Sequence, residues 1–300
     1  MMTLSANSSK TVSALTLVPL GGLCNRLRAI LSAIALARDC EVLLQIVWLR
    51  DKGLNARFDE LFVPMKDSPA AQDSGWQEMV LTESSENFRY SVARKRNLWL
   101  PSLYQRLAFD TCMTDKDLLS ILRQGLCDDD LKKAVRERLR GRVLLQTGFG
   151  FYPADDSLTT RLFVPNEAVR HLIEARSKLL TPHTVGLHIR RTDNQASIAH
   201  SPLSAFEAAM EQEMKDNPET MFYVATDSSE VLTTLGKRFP IRYSTGTNSR
   251  SSVEGMQEAV AELLTLISCE RFHGSYWSSF SDMIVAAHQA GTADIIYVEG

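Results

Sequence analysis

Residues 15–49 read LTLVPLGGLCNRLRAILSAIALARDCEVLLQIVWL. This stretch decides the fold. Leu15–Pro19 is a short apolar run that fits a buried strand, and Pro19-Leu20-Gly21-Gly22 is a turn. From Asn25 to Arg38 the apolar residues Leu27, Ile30, Leu31, Ile34, Ala35 and Ala37 recur at helical spacing. Glu41–Leu49 is a second buried strand. A strand, a glycine turn, a helix and a strand form the repeating unit of a parallel sheet, so the expected class is α/β.

The second half repeats this alternation. Helices are expected at Glu167–Leu180, Pro202–Lys215, Ser229–Arg238, Val253–Ile267 and Ser279–Gln289. Strands are expected at Val185–Ile189, Met221–Ala225, Arg271–His273 and Asp294–Val298. Thr181-Pro182-His183 reads as a linker, which divides the chain into domains 1–180 and 181–300. Residues 51–140 are less regular. Phe58–Phe62 reads as a short helix before Pro64, Asp67–Gly75 as a loop, Lys116–Leu122 and Asp130–Leu139 as polar surface helices, and Arg142–Thr147 as a strand.

Composition narrows the function. Apolar residues make up 44% and charged residues 23% of 300 residues, a globular balance rather than a disordered one. The formal charge of −3 argues against nonspecific nucleic-acid binding, which needs a broad basic face. No apolar run reaches the roughly 18 residues that span a bilayer. Val12–Pro19 after Lys10 has a faint signal-peptide character, but it lacks a small-residue cleavage site and is read as the first strand. Cys24, Cys40, Cys112, Cys127 and Cys269 are odd in number and widely spaced. They suggest reduced thiols, a cytoplasmic protein and no zinc site.

Polar clusters are expected at the carboxyl ends of the strands, where ligands bind in such sheets. In Val185-Gly-Leu-His-Ile-Arg-Arg-Thr-Asp193, alternation puts His188 and Arg190 on one face and Val185, Leu187 and Ile189 on the other. Arg190 and Arg191 are suited to a diphosphate, because guanidinium forks match phosphate oxygens and stay charged. Gly21, Gly22 and Asn25 lie at a helix N-terminus, which allows close backbone approach and favours anions. Thr226-Asp227-Ser228 suits a helix cap or a ligand contact. His273–Asp282 carries hydroxyls into a helix start, where Ser279 and Asp282 can form a capping box and Ser278 and Ser279 can meet a phosphate. Asp128-Asp129-Asp130 is the acidic triplet of the chain and reads as a helix start. Together the clusters suit a leaving nucleoside diphosphate neutralised by arginine and helix-terminal donors, with no metal.

Gly21-Gly-Leu-Cys-Asn-Arg26, His188-Ile-Arg-Arg-Thr-Asp193, Tyr223-Val-Ala-Thr-Asp227 and Gly274-Ser-Tyr-Trp-Ser-Ser-Phe-Ser281 occur in that order. The set resembles the motifs of the GDP-fucose-dependent fucosyltransferase superfamily, which includes α-1,6-, α-1,2-, protein O- and rhizobial nodulation fucosyltransferases. The resemblance covers about 15–50 and 165–300. It implies a GT-B-like fold, two Rossmann-like domains facing across a cleft, with the donor on the C-terminal domain and the acceptor on the N-terminal one. It implies an inverting, metal-independent transfer from a GDP-sugar, most often GDP-fucose, to a glycan or small hydroxyl acceptor, with no separate cofactor. It places Arg190 on the donor β-phosphate, His188 near the nucleoside, Ser278 and Ser279 at the phosphate end and Glu262 on guanine. Read without the resemblance, Glu262 is an exposed helix residue.

One departure stands out. α-1,6-Fucosyltransferases carry a Lys and a Glu shortly after the Arg-Arg-x-Asp block, whereas Gln195–Pro202 holds no carboxylate. Asp193, His200 and Glu207 remain as candidate bases, with Asp193 grouped with Arg190 as catalytic. Cys24 stands where relatives often have Gly. The missing carboxylate keeps open a noncatalytic nucleotide-sugar or glycan-binding protein on the same scaffold. A sulfotransferase or phosphate-ester enzyme is a third reading, disfavoured by the absence of a Walker-like loop and of a metal cluster.

Overall fold

A computed structural model describes residues 11–70, 79–84, 88–192, 194–246 and 249–299. The chain folds as two compact units, Met1–Asp51 with Ser74–Asp155, and Lys52–Asp73 with Asp156–Gly300. Each is built on its own five-stranded sheet, and every strand pairing is parallel.

In the first unit the strands are β1 (Val12–Pro19), β2 (Leu44–Leu49), β3 (Met79–Ser84), β4 (Thr111–Thr114) and β5 (Gly141–Thr147). Their order is β3-β2-β1-β5-β4. The segment read as strand, turn, helix and strand is present: helix Leu23–Cys40 joins β1 to β2 and buries Leu27, Ile30, Leu31 and Ile34. The helix stops at Glu41, a left-handed C-cap with φ 54°. Val18, Val47 and Leu144 form a small core under Leu20, Leu49, Tyr90 and Phe109. The surface helices lie at Asp115–Leu122 and Asp128–Arg136, and Asp128, Asp129 and Asp130 form the first turn of the latter. β3, β4 and a helix at Leu100–Ala108 fall in the stretch where the sequence offered no clear pattern.

The second unit holds β6 (Thr184–Ile189), β7 (Met221–Thr226), β8 (Ile241–Arg242), β9 (Arg271–Ser275) and β10 (Ala293–Ile296), in the order β10-β9-β6-β7-β8. The chain builds outward from β6 through β7 to β8, then crosses to the other side of β6 for β9 and β10. This is the doubly wound order, and its switch point lies between β6 and β9. Val185, Leu187 and Ile189 pack with Phe206, Met210, Phe222 and Val224 on one face of the sheet. His188 lies on the opposite face, where its ring meets Phe280 of helix Ser279–Ala287.

The division between the units differs from the expected boundary at 180. Helix Glu167–Ser177 belongs to the second unit because Arg176 bonds Glu258 of helix Val253–Ile267. The segment 52–73 joins the same unit. There Val63 N–H donates to Val164 O at 2.9 Å, Asn166 N–H to Leu61 O at 3.1 Å, and the rings of Phe62 and Phe163 lie 5.7 Å apart. Phe58–Phe62 forms a single hydrogen-bonded turn rather than a short helix.

Candidate functional site

The switch point collects His188, Arg190, Asp227, Ser278 and Ser279. His188, next to last in β6, is 8% exposed and its Nδ1 lies 2.8 Å from Ser281 Oγ. Burial, aided by the Arg190 charge and opposed by Asp227, pushes its pKa down to about 4. The imidazole is therefore neutral at physiological pH.

Arg190 follows directly. Its backbone N–H donates to Ser275 Oγ at 3.0 Å, and its Nε pairs with Asp227 Oδ2 at 3.2 Å. Asp227, at the end of β7, also accepts from Arg191 N at 2.7 Å and from Thr192 Oγ1 at 2.7 Å. Burial works against its ionisation, but these hydrogen bonds and the Arg190 charge outweigh that and hold the carboxyl below its ordinary range. Asp227 was expected to touch the donor. Its ion pair and hydrogen bonds orient Arg190 and fasten the loop after β6.

The pair of arginines is split. Arg191 Nη2 donates to Ser201 O, and the guanidinium lies 6.0 Å from the Phe206 ring, on the side of the sheet opposite His188. The strand pleat that brings Arg190 to the site turns its neighbour away. Arg191 thus ties the end of β6 to the segment at Ser201.

β9 and the helix after it complete the cluster. Ser275 Oγ donates to His188 O at 3.1 Å, and Ser275 N–H donates to Ser281 Oγ at 3.0 Å. Ser278 is the buried N-cap and accepts from Ser281 N at 3.5 Å, while Ser279 opens the helix. Just before Ser278, Trp277 has φ 56° and is 68% exposed, and its carbonyl accepts from Asn194 Nδ2 at 2.7 Å. Ser275, Ser281, Thr192 and Asn194 were not singled out from sequence. The spacing of Ser275 and Ser281 around a capping Ser278 was a signal that could have found two of them. Gly274 makes the packing possible, since a Cβ there would lie 2.6 Å from Ser281 Cβ.

Other expected residues belong to other elements. Gly21, Gly22 and Asn25 stand at the carboxyl end of β1, in the first unit. Gly21 has φ 80°, and a Cβ there would lie 3.0 Å from Asn25 Nδ2. Arg26 beside them is fully buried. Its Nε donates to Gly21 O at 2.9 Å, its Nη1 to Leu49 O, and its Nη2 pairs with Asp51 at 2.9 Å. Glu262 is buried, not an exposed helix residue, and faces Arg176 at 3.9 Å. It lies near Tyr223, whose hydroxyl pKa is pushed up by burial and then by the Glu262 charge. Of the candidate bases, Glu207 is paired with Arg238 at 2.8 Å and His200 Nδ1 lies 3.2 Å from Val298 O. Asp193 lies outside the described residues. Among the described residues, no group of three or more His, Cys, Asp or Glu is placed to hold a metal ion, and no helix is long and apolar enough to cross a membrane.

No protein-family model and no curated protein matches the chain. Solved structures do. The α-1,6-fucosyltransferase NodZ, crystallised from Bradyrhizobium and also soaked with GDP-fucose, aligns over 92% of this chain and 92% of its own, with TM-score 0.62 and 16% identity. This chain has the fold of the fucosyltransferases. Arabidopsis thaliana FUT1 in complex with GDP aligns over 98% of this chain and 72% of its own, with TM-score 0.59 and 14% identity. POFUT1 in complex with GDP aligns over 96% and 98%, with TM-score 0.55 and 10% identity. The fucosyltransferase fold therefore accounts for both parallel sheets, and the GT-B-like expectation holds at the level of architecture.

Proposed function

We propose that this chain is an inverting, metal-independent glycosyltransferase that takes its sugar from a GDP-sugar, GDP-fucose first among them. The observation that carries this reading is the position of Arg190. It leaves the central strand at the switch point of a fucosyltransferase fold, oriented by Asp227 and Ser275 and next to the helix that Ser278 caps. A diphosphate there meets a guanidinium, hydroxyls and a helix N-terminus, which stabilise the charge that grows as the sugar–oxygen bond breaks. The acceptor hydroxyl attacks the anomeric carbon from the opposite side, its proton passes to a base, and GDP leaves with the bonding electrons. Neutral His188 serves the nucleoside end. The second unit is the donor side, and the first unit, with Gly21, Gly22 and Asn25, is the acceptor side; the acceptor is a glycan or small hydroxyl compound. Glu262 can read guanine only by turning from Arg176.

A thermal-shift panel of GDP, UDP, ADP and CMP tests the donor class, since a ligand that binds only the folded chain raises Tm. GDP alone should give a shift; a shift for UDP or CMP and none for GDP would reject the reading. Turnover should persist in EDTA. The absence of a carboxylate from Gln195–Pro202 favours a second reading, a noncatalytic binder of the same nucleotide sugar. Slow GDP release from GDP-fucose in the absence of acceptor separates the enzyme from the binder.

A further inference from the structure

Helix Leu100–Ala108 is turned inside out. Its inward residues are Pro101 and Gln105, and Gln105 Nε2 donates to Arg89 O at 3.0 Å and to Ser91 O at 3.1 Å. Its leucines face solvent: Leu103 is 61% and Leu107 77% exposed, with Leu100 on the same stripe. Just before it, Leu98 and Trp99 are 72% and 56% exposed, and both have left-handed backbones, φ 52° and 53°. A helix that buries a proline and a glutamine and exposes its leucines gains little apolar burial from its own unit. Between Glu86 and Asp110, which bound this stretch, every charge is positive. From Asn87 to Phe109 the sequence carries Arg89, Arg94, Lys95, Arg96 and Arg106 and no Asp or Glu, in a chain whose net charge is −3. Arg94, Lys95 and Arg106 are exposed.

We propose that Leu98–Ala108 with its basic rim is a peripheral docking surface for anionic phospholipid. Leucines along one side of a helix and an exposed tryptophan just before it, with Lys and Arg flanking them, suit the headgroup boundary of a bilayer. A nine-residue helix is about 13 Å long, so it lies in the interface and does not span it. Charge complementarity selects the occupant. Two copies of this chain joined through the patch would set like-charged rims against each other, whereas an anionic headgroup layer attracts every cation of the rim. The surface is independent of the reading of Arg190.

Flotation of the full chain with vesicles of phosphatidylcholine, alone or with one-third phosphatidylglycerol, tests this. The wild-type chain should float with the anionic vesicles, not with phosphatidylcholine alone, and should be released as salt rises. The exposed pair L103E/L107E should keep the wild-type Tm and lose flotation. R94A/K95A should bind roughly 30-fold more weakly, at the usual worth of a basic side chain near an anionic surface. The proposal is overturned if the wild-type chain ignores anionic vesicles or if L103E/L107E binds them equally. It is also overturned if that variant only dissolves a dimer that never bound lipid.

Discussion

His188 on β6 and Arg190 just after the strand sit two residues apart and face different demands. Arg190 pairs with Asp227 yet keeps partial exposure, so it can meet an anion. Replacing it with Ala should lower the rate of GDP release from GDP-fucose by about 100-fold or more, the size expected for losing one preorganised charge contact. Wild-type rates in R190A would remove it from the mechanism, and R190K should recover only part, because an ammonium cannot reproduce the planar fork. His188 has the opposite bias. Its pKa lies near 4 in the folded chain, against about 6.5 when unfolded. Between those values the unfolded chain takes up a proton that the folded chain refuses. Stability is therefore complete above pH 6.5 and lost as pH falls towards 4, by about 3 kcal/mol from this residue. Urea unfolding of wild type and H188N across that window should show the excess slope only in wild type. Sequence alternation foretold the face on which His188 and Arg190 lie. It could not foretell that Arg191 would turn to Ser201 O, because a carbonyl ten residues on is not visible in a pattern of period two.

At the scale of elements, the site depends on how closely helix Ser279–Ala287 approaches β9. A Cβ on Gly274 would meet Ser281 Cβ at 2.6 Å and Phe272 at 2.8 Å. G274A should therefore push the helix off the strand, cost about 1–3 kcal/mol as overpacking does, and loosen the Ser281 contact to His188. Chemical denaturation reads the first effect; weakened GDP binding, read by thermal shift, the second. In the first unit the Gly21 turn is held by Arg26, which spans Gly21 O, Leu49 O and Asp51 and lies 5.1 Å from the Trp48 ring. R26A should lower stability by about 2–4 kcal/mol, since it strands buried carbonyls and leaves a cavity. A stability equal to wild type would show the turn to be held by other means. Helices with an apolar stripe toward the sheet were legible along the chain. Leu100–Ala108 was not, because its leucines point outward and its buried contact is a glutamine.

For the whole molecule, the division into units is discontinuous in sequence. Residues 52–73 complete the second unit through Phe62 on Phe163, Gln257 Nε2 on Glu60 O at 2.9 Å and Asn55 N–H on Arg250 O at 3.0 Å. A fragment 156–300 should consequently expose the Phe163 side and bind a hydrophobic dye, or aggregate, where the full chain does neither. A cooperatively folded fragment with no added dye binding would show that 52–73 is dispensable. The sequence alone determined the α/β class, the strand–turn–helix order and the residues that reach strand ends, because period and turn chemistry are local. The tertiary structure decided the rest: that Arg190 and Arg191 turn to different partners, that Asp227 pairs with Arg190 and that Glu262 is buried beside Arg176. It also decided that residues 52–73 fold with a partner a hundred residues away. Each of these depends on contacts between groups distant in sequence, and no local pattern encodes the distance at which two charges come to rest.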